Sequence, residues 1–470
     1  MEMRDRGVEM ETGSQVKNPM FSRRALIRLM VPLIIEQLLM MTVGMADTIM
    51  VTTAGEAAVS GVSLVDGINI LMINIFSALS TGGAVVVSQY LGRQEVEKAR
   101  SAAKQLFYTA LIAGVGLMGV ALLFRQHILR LVFGSISQDI MDSALIYFLL
   151  TAAAYPVIAV YNAGAALFRA MGNSKVSMFN SLIVNVVNIT VNAILIYGFQ
   201  MGAAGAGVGT LVSRIVAAVI IGVMITRPTH LVYIEEIFRP VLHWPMVKSI
   251  LGIGIPNGVE NGMFQVGKLL VLNLITSFDV GVDLAVRGSA VAANAIANSI
   301  AGVVNVPGQG TGLTMITVVG QCMGAGDDRQ AVGYTKKLMG ITYAAMGALS
   351  AGLFLVAPVL VPLFQLTPAT AALAVTVLRW SAVFTAAVWP MSFALPNALR
   401  ASGDAKFTMV TSLVSMWVFR VGMSYLLGAS WGLNMGLLGV WLAMFADWVV
   451  RACVFLIRFL QGGWKNHSVI

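Results

Sequence analysis

Several ionisable side chains of this 470-residue sequence sit inside long apolar runs, where a charge is costly and marks a function with a partner to be named. The acids are Glu36 and Asp47 in the first run, Asp66 near the start of the second, Glu260 in the seventh and Asp447 in the last. The bases are Arg214, Lys268, Arg379, Arg420 and Arg451. Asp47 has no basic residue at helical spacing, so its carboxylate is either hydrated or carries a proton, and its oxygens could instead coordinate Na+. Asn185, Asn188 and Asn192 recur at three- and four-residue spacing, so they share one helix face and offer amide oxygens to a cation or hydrogen bonds to a neighbouring helix. Glu260 stands one turn after Pro256 and beside Asn257 and Asn261, and with Asp47 it is the best functional candidate. Lys268, two turns on, leans toward Glu260 or toward a partner on another helix. Asp447 and Arg451, four residues apart, read as a neutralised structural pair. Asp66 falls near the outer boundary and reads as solvated, while Arg379 and Arg420 have no evident partner.

Helices must position these groups. Hydrophobic residues make up 58% of the chain and charged ones 11%, against about 25% in a soluble domain, and mean hydropathy is +0.83. The apolar runs reach the ~20 residues that cross ~30 Å of hydrocarbon, and they lack the alternation of barrel strands. Twelve spans are expected: 25–51, 62–91, 101–124, 140–168, 176–199 and 203–226, then 247–277, 289–322, 336–362, 371–398, 407–429 and 434–460. The connections are too short for a soluble catalytic domain. The expected divisions are an N-terminal tail 1–22, an N-lobe 23–226, a linker 227–246, a C-lobe 247–462 and a C-terminal tail 463–470.

The formal net charge of +9 does not imply nucleic acid, because of where it lies. Lys and Arg gather at Arg23, Arg24 and Arg28, and after the even-numbered spans, at Arg93, Lys98 and Arg100, Arg169 and Lys175, Arg227 and Arg239, Lys336 and Lys337, and Arg400 and Lys406. The other side is nearly bare apart from Arg125, Arg130 and Arg287. This positive-inside pattern puts both termini in the cytoplasm of a multi-pass protein of the cell (inner) membrane, with no cleavable signal peptide expected.

The halves repeat at about 230 residues, a symmetry common in transporters. Pro32 and Glu36 answer to Pro256 and Glu260, and Gln89-x-x-Gly92 to Gln321-x-x-Gly324. Arg169-Ala-Met-Gly172-Asn-Ser-Lys175 answers to Arg400-Ala-Ser-Gly403-Asp-Ala-Lys406, each glycine expected to close a helix in a left-handed cap. Six spans per half make the repeats parallel.

At matching places in both halves, these motifs, together with Asp47-Thr48, resemble the multidrug and toxic compound extrusion (MATE) transporters from Arg24 to about Phe459. The resemblance implies an all-α fold of twelve helices in two six-helix lobes around a central cavity. It also implies export of amphiphilic or cationic drug-like molecules in antiport with H+ or Na+ by alternating access. On it, Asp47 matches the N-lobe carboxylate, and Tyr147, Asn188 and Thr210 match other members of the N-lobe cation site. Glu260 is similar to a glutamate found in part of the family. Asn192 stands where many relatives carry aspartate, and Gln265 where some carry the glutamate of a C-lobe sodium site. Glu36 is an additional acid, and Na+, if taken, would sit at Asp47, Asn188 and Asn192.

The alternative is a lipid or lipid-linked oligosaccharide flippase of the same superfamily, which would need a strongly cationic central cavity. A membrane enzyme has no support: His127, His230, His243 and His467 lie in connections or tails, and Cys322 and Cys453 suggest neither a disulfide framework nor a thiolate cluster. Gly262 to Lys268 mimics the start of a phosphate loop, but Leu269 replaces its Ser or Thr, so no ATP site is expected. No cofactor is expected. The partners expected are drug-like substrates and membrane lipids, with the monomer as the working unit.

Overall fold

The computed structural model describes residues 19–134, 137–237, 239, 241–280, 283, 288–467 and 469–470, and among these the regular elements are helices. Arg287, named above, falls outside them. The first half comprises α1 (Arg23–Thr52), α2 (Glu56–Gly92), α3 (Val96–Phe133), α4 (Gln138–Ala153), α5 (Tyr155–Ala170), α6 (Ser174–Ala193) and α7 (Gly202–Ile225). The second comprises α8 (Trp244–Ser277), α9 (Ala290–Gly324), α10 (Asp328–Leu360), α11 (Pro368–Ala387), α12 (Leu395–Ser402), α13 (Ala405–Ser415), α14 (Met423–Gly428) and α15 (Gly436–Gln461).

Among the described residues ten helical segments are long and apolar enough to span a membrane, and α4 with α5, bent by 44° at Ala154 and Pro156, makes an eleventh. The 34-residue α8, packed along α2, is not among them, so the described residues give ten or eleven such segments, roughly consistent with the twelve expected. The breaks fall where the backbone is locally re-wound. A π-helical stretch at Ile194–Gly198 ends α6, Pro390–Ala394 joins α11 to α12, and Met416–Gly422 joins α13 to α14. Such stretches re-aim side chains within a helix and recur at functional sites.

The doubled Arg-x-x-Gly-x-x-Lys motif forms two matching helix ends. Gly172 (φ 78°) and Gly403 (φ 108°) take the left-handed conformation that closes α5 and α12. The N–H of Gly172 donates to Arg169 O and that of Asn173 to Phe168 O, while Gly403 and Asp404 donate to Arg400 O and Leu399 O.

These ends also clasp the halves together. Gln89 Nε2 of α2 donates to Ala401 O across 2.8 Å, and Gln321 Nε2 of α9 donates to Ala170 O, also across 2.8 Å. Backbone approach requires glycine beside each: a Cβ on Gly92 would overlap Gln321 O, and one on Gly324 would overlap Gln89 O. The Gln-x-x-Gly motif is therefore a contact between the two halves at the turn-bearing end of the bundle.

The linker packs on α3, with Tyr108 donating to the carbonyl oxygens of Ile237 and Arg239, and Gln105 to that of Val241. The C-terminal segment also docks. Trp464 is buried, Val469 O accepts from Ser249, and Ile470 O accepts from Arg93 across the lobes.

Candidate functional site

In the N-lobe, α1, α2, α4, α6 and α7 bring polar side chains to one place. Asn192 Nδ2, fully buried on α6, donates to Asp47 Oδ1 across 2.7 Å and to Asn188 Oδ1 across 3.3 Å. Asn192 Oδ1 has no partner, and Gly209 of α7 lies so close that a Cβ there would overlap it. Tyr147 of α4 donates to Asp66 Oδ1 across 2.9 Å, and Thr210 of α7 follows Gly209 in sequence. Asn69, held by Tyr155 at 3.1 Å, donates to the same Asp66 oxygen at 3.4 Å. No ion pair joins Arg214 to Asp47 or Asp66 among the described residues.

The residues expected in an N-lobe site (Asp47, Tyr147, Asn188, Asn192 and Thr210) are thus neighbours. The expectation for Asp66 is corrected: it is half-buried, hydrogen-bonded and part of the cluster. Its position early in α2 suggested solvent, and the long-range Tyr147 bond that overrides this has no signal in sequence. The asparagine stripe divides. Asn180 and Asn185 donate to Ala217 O and Leu39 O and fasten helices, whereas Asn188 and Asn192 serve Asp47.

Glu36 and Glu260 lie elsewhere, as a symmetric pair. Glu36 meets Arg169 at 3.3 Å and accepts from Ser177 at 2.7 Å, and Glu260 meets Arg400 at 2.7 Å. All four are largely buried, so each half spends one carboxylate on the arginine of its own capped turn. Glu260 is therefore paired rather than free beside Asp47. Of the two partners expected for Lys268, Glu260 is taken by Arg400. Lys268 lies over the Phe264 ring (5.0 Å), facing Arg420, and Gln265 makes no hydrogen bond in the described set.

The C-lobe holds a second charged group. Arg451 takes Asp447 at 2.8 Å as expected, and Ser415 donates to the same oxygen at 2.6 Å. Arg420 reaches Asp447 only at 3.9 Å and donates to Met444 Sδ. No group of three or more His, Cys, Asp or Glu residues occurs among the described residues, so an ion in either lobe would be held mainly by amide, hydroxyl and carbonyl oxygens.

The MatE family model matches residues 32–194 and 268–426, more than half of the chain. The "Probable multidrug resistance protein NorM" of Thermotoga maritima is 26% identical over 458 residues, covering 95% of this chain and 94% of that protein. The "Uncharacterized transporter YisQ" of Bacillus subtilis is 25% identical over 465 residues, covering 97% and 98%. A solved structure described as "Outward-facing conformation of a multidrug resistance MATE family transporter of the MOP superfamily" superposes with a TM-score of 0.85, at 21% identity, over 95% of this chain and 97% of that one.

Proposed function

The chain belongs to the MatE family, and we propose that it is a secondary active multidrug transporter that exports amphiphilic or cationic small molecules in antiport with H+ or Na+. The observation that carries this reading is the hydrogen bond from Asn192 to Asp47 in a polar cluster drawn from five membrane helices. The relatives' names, which speak of multidrug resistance, support the substrate class.

In this mechanism Asp47 is the group that loses and regains an ion. With Asp47 charged, Asn192 holds it from α6, and Asp66, on Tyr147, is a second negative charge in the same cluster. Neutralising Asp47 by a proton or Na+ removes repulsion from Asp66 and weakens the α1–α6 hydrogen bond, so α1 is free to move relative to α6. A cationic substrate and the ion compete for the same negative field, and ion entry expels the substrate. The driving force is roughly 2.3 kcal/mol per charge per 100 mV of membrane potential. The Gln89 and Gln321 clasp closes the opposite lobe end in this state, which the positive-inside pattern assigns to the cytoplasm.

Ethidium export from proteoliposomes containing only this protein tests the reading. Export driven by an imposed proton or sodium gradient is the expected result. Failure under both gradients sinks it, and a labelled-lipid assay would then test a flippase.

A further inference from the structure

A cavity of about 250 Å³ opens inside the C-lobe between α8, α9, the π-helical stretch after α13, and α15, lined by Lys268, Asn294, Asn298, Arg420, Trp441 and Met444. Its charge is one-sided. Lys268 and Arg420 face it, and Arg451 lies behind, over Phe264 and Phe393. The one carboxylate nearby, Asp447, takes Arg451 and Ser415 on one oxygen and lies 3.9 Å from Arg420 at the other. Arg420, nine-tenths buried, has a thioether as its hydrogen-bond acceptor, and no ion pair includes Lys268 among the described residues. The acids that could have balanced them are committed elsewhere, Glu260 to Arg400 and Asp279 to the N-terminus of α9.

Lys268 is exposed to the cavity and Arg420 shares a single carboxylate, Asp447, with Arg451, so the cavity carries a net positive charge that an anion would complete. The walls are not purely ionic. Trp441, its Nε1 donating to Asn294 Oδ1 at 3.1 Å, offers a ring face, and Phe264 behind the lining sits under Lys268 and Arg420 at 5.0 and 4.9 Å. The Asn294 and Asn298 amides add polar contacts, and Met444 adds an adaptable apolar surface. The volume lies just below the ~300 Å³ lower end of ligand pockets, which suits a head group with a ring attached rather than a whole drug.

We infer that this C-lobe cavity binds the anionic head group of an amphiphile, a sulfonate, carboxylate or phosphate monoanion bridged by Lys268 and Arg420 with its apolar part against Trp441. The inference rests on the transport reading only for its purpose, since binding needs no gradient.

Calorimetric titration of the full chain in phosphatidylcholine nanodiscs with 2-naphthalenesulfonate, and with its cationic counterpart 2-naphthylmethylammonium, tests it. The sulfonate should bind roughly tenfold tighter or more, and Lys268→Gln should weaken sulfonate binding about tenfold while leaving the ammonium unaffected. Arg420→Gln should do the same, with Asp447 still held by Arg451 and an unchanged melting temperature as the check on folding. Asp47→Asn should leave sulfonate binding intact, which separates this site from the coupling site. Loss of sulfonate binding in phosphatidylglycerol nanodiscs would assign the head group to bilayer lipid, and retention to a solute. Equal binding of both naphthalenes, or sulfonate binding untouched by Lys268→Gln, overturns the inference.

Discussion

Asn192 of α6 donates a 2.7 Å hydrogen bond to the carboxylate of Asp47 on α1, and its own oxygen lies against Gly209 of α7 without a partner. One amide thus ties three helices to the acid that the transport reading makes the coupling group. The geometry leaves little room for change at either end of it.

Replacing Asn192 with Leu keeps the volume and removes the donor. A hydrogen bond to a charged group contributes about 1.5–3 kcal/mol, so export should fall roughly tenfold or more while the protein still inserts and purifies. Initial rates of ethidium export in proteoliposomes measure this, and a wild-type rate would remove Asn192 from the mechanism.

Gly209→Ala should be nearly as damaging as Asn192→Leu, because the new methyl overlaps Asn192 Oδ1 and displaces the amide from Asp47. Gly222→Ala on the same helix meets open space and serves as the control. Equal export by the two alanine variants would show that the close packing of α7 on Asn192 is unimportant.

The symmetric ion pairs are structural in this account. Glu260→Gln leaves Arg400 buried without its counter-charge, a loss of about 3–5 kcal/mol for such pairs, and Glu36→Gln does the same to Arg169. Thermal unfolding in detergent should show both variants lowered by similar amounts, with the Glu260→Gln, Arg400→Met double variant recovering part of the loss. If the single variants keep the wild-type melting temperature and lose export, the pairs belong to transport instead.

The clasp between lobes can be read through a native cysteine. Cys322 is buried beside Gln321. Gly92→Val forces a side chain into the Gln321 carbonyl, so it should part the lobe ends and raise maleimide labelling of Cys322 several-fold in a Cys453→Ser background. Unchanged labelling would mean that the ends are held by contacts other than the clasp.

Much of this was legible in the sequence because a bilayer restricts what a chain can do. Apolar run lengths gave the spans, and the doubled Arg-x-x-Gly-x-x-Lys motif gave both capped turns, since a left-handed helix end favours glycine. Asp47 and the 188/192 face were visible from helical periodicity alone. What stayed hidden depends on which helices meet. Asp66 looked peripheral until α4 placed Tyr147 on it, and Glu260 had only Lys268 as a candidate partner until α12 delivered Arg400. Arg420 had no partner in sequence because it is carried on a π-helical stretch whose aim periodicity does not predict. The asparagine stripe was ambiguous for the same reason: Asn180 and Asn185 meet backbone carbonyls, Asn188 and Asn192 meet an acid, and the residue type is the same.

The most direct test of the central claim compares wild type with Asp47→Asn and Asp66→Asn in proteoliposomes loaded with ethidium, under proton and sodium gradients imposed separately. Wild type should export under one gradient, Asp47→Asn should be inactive under both, and Asp66→Asn should be slowed while keeping the same ion preference. Export by Asp47→Asn at the wild-type rate would contradict the account, whatever the behaviour of Asp66→Asn.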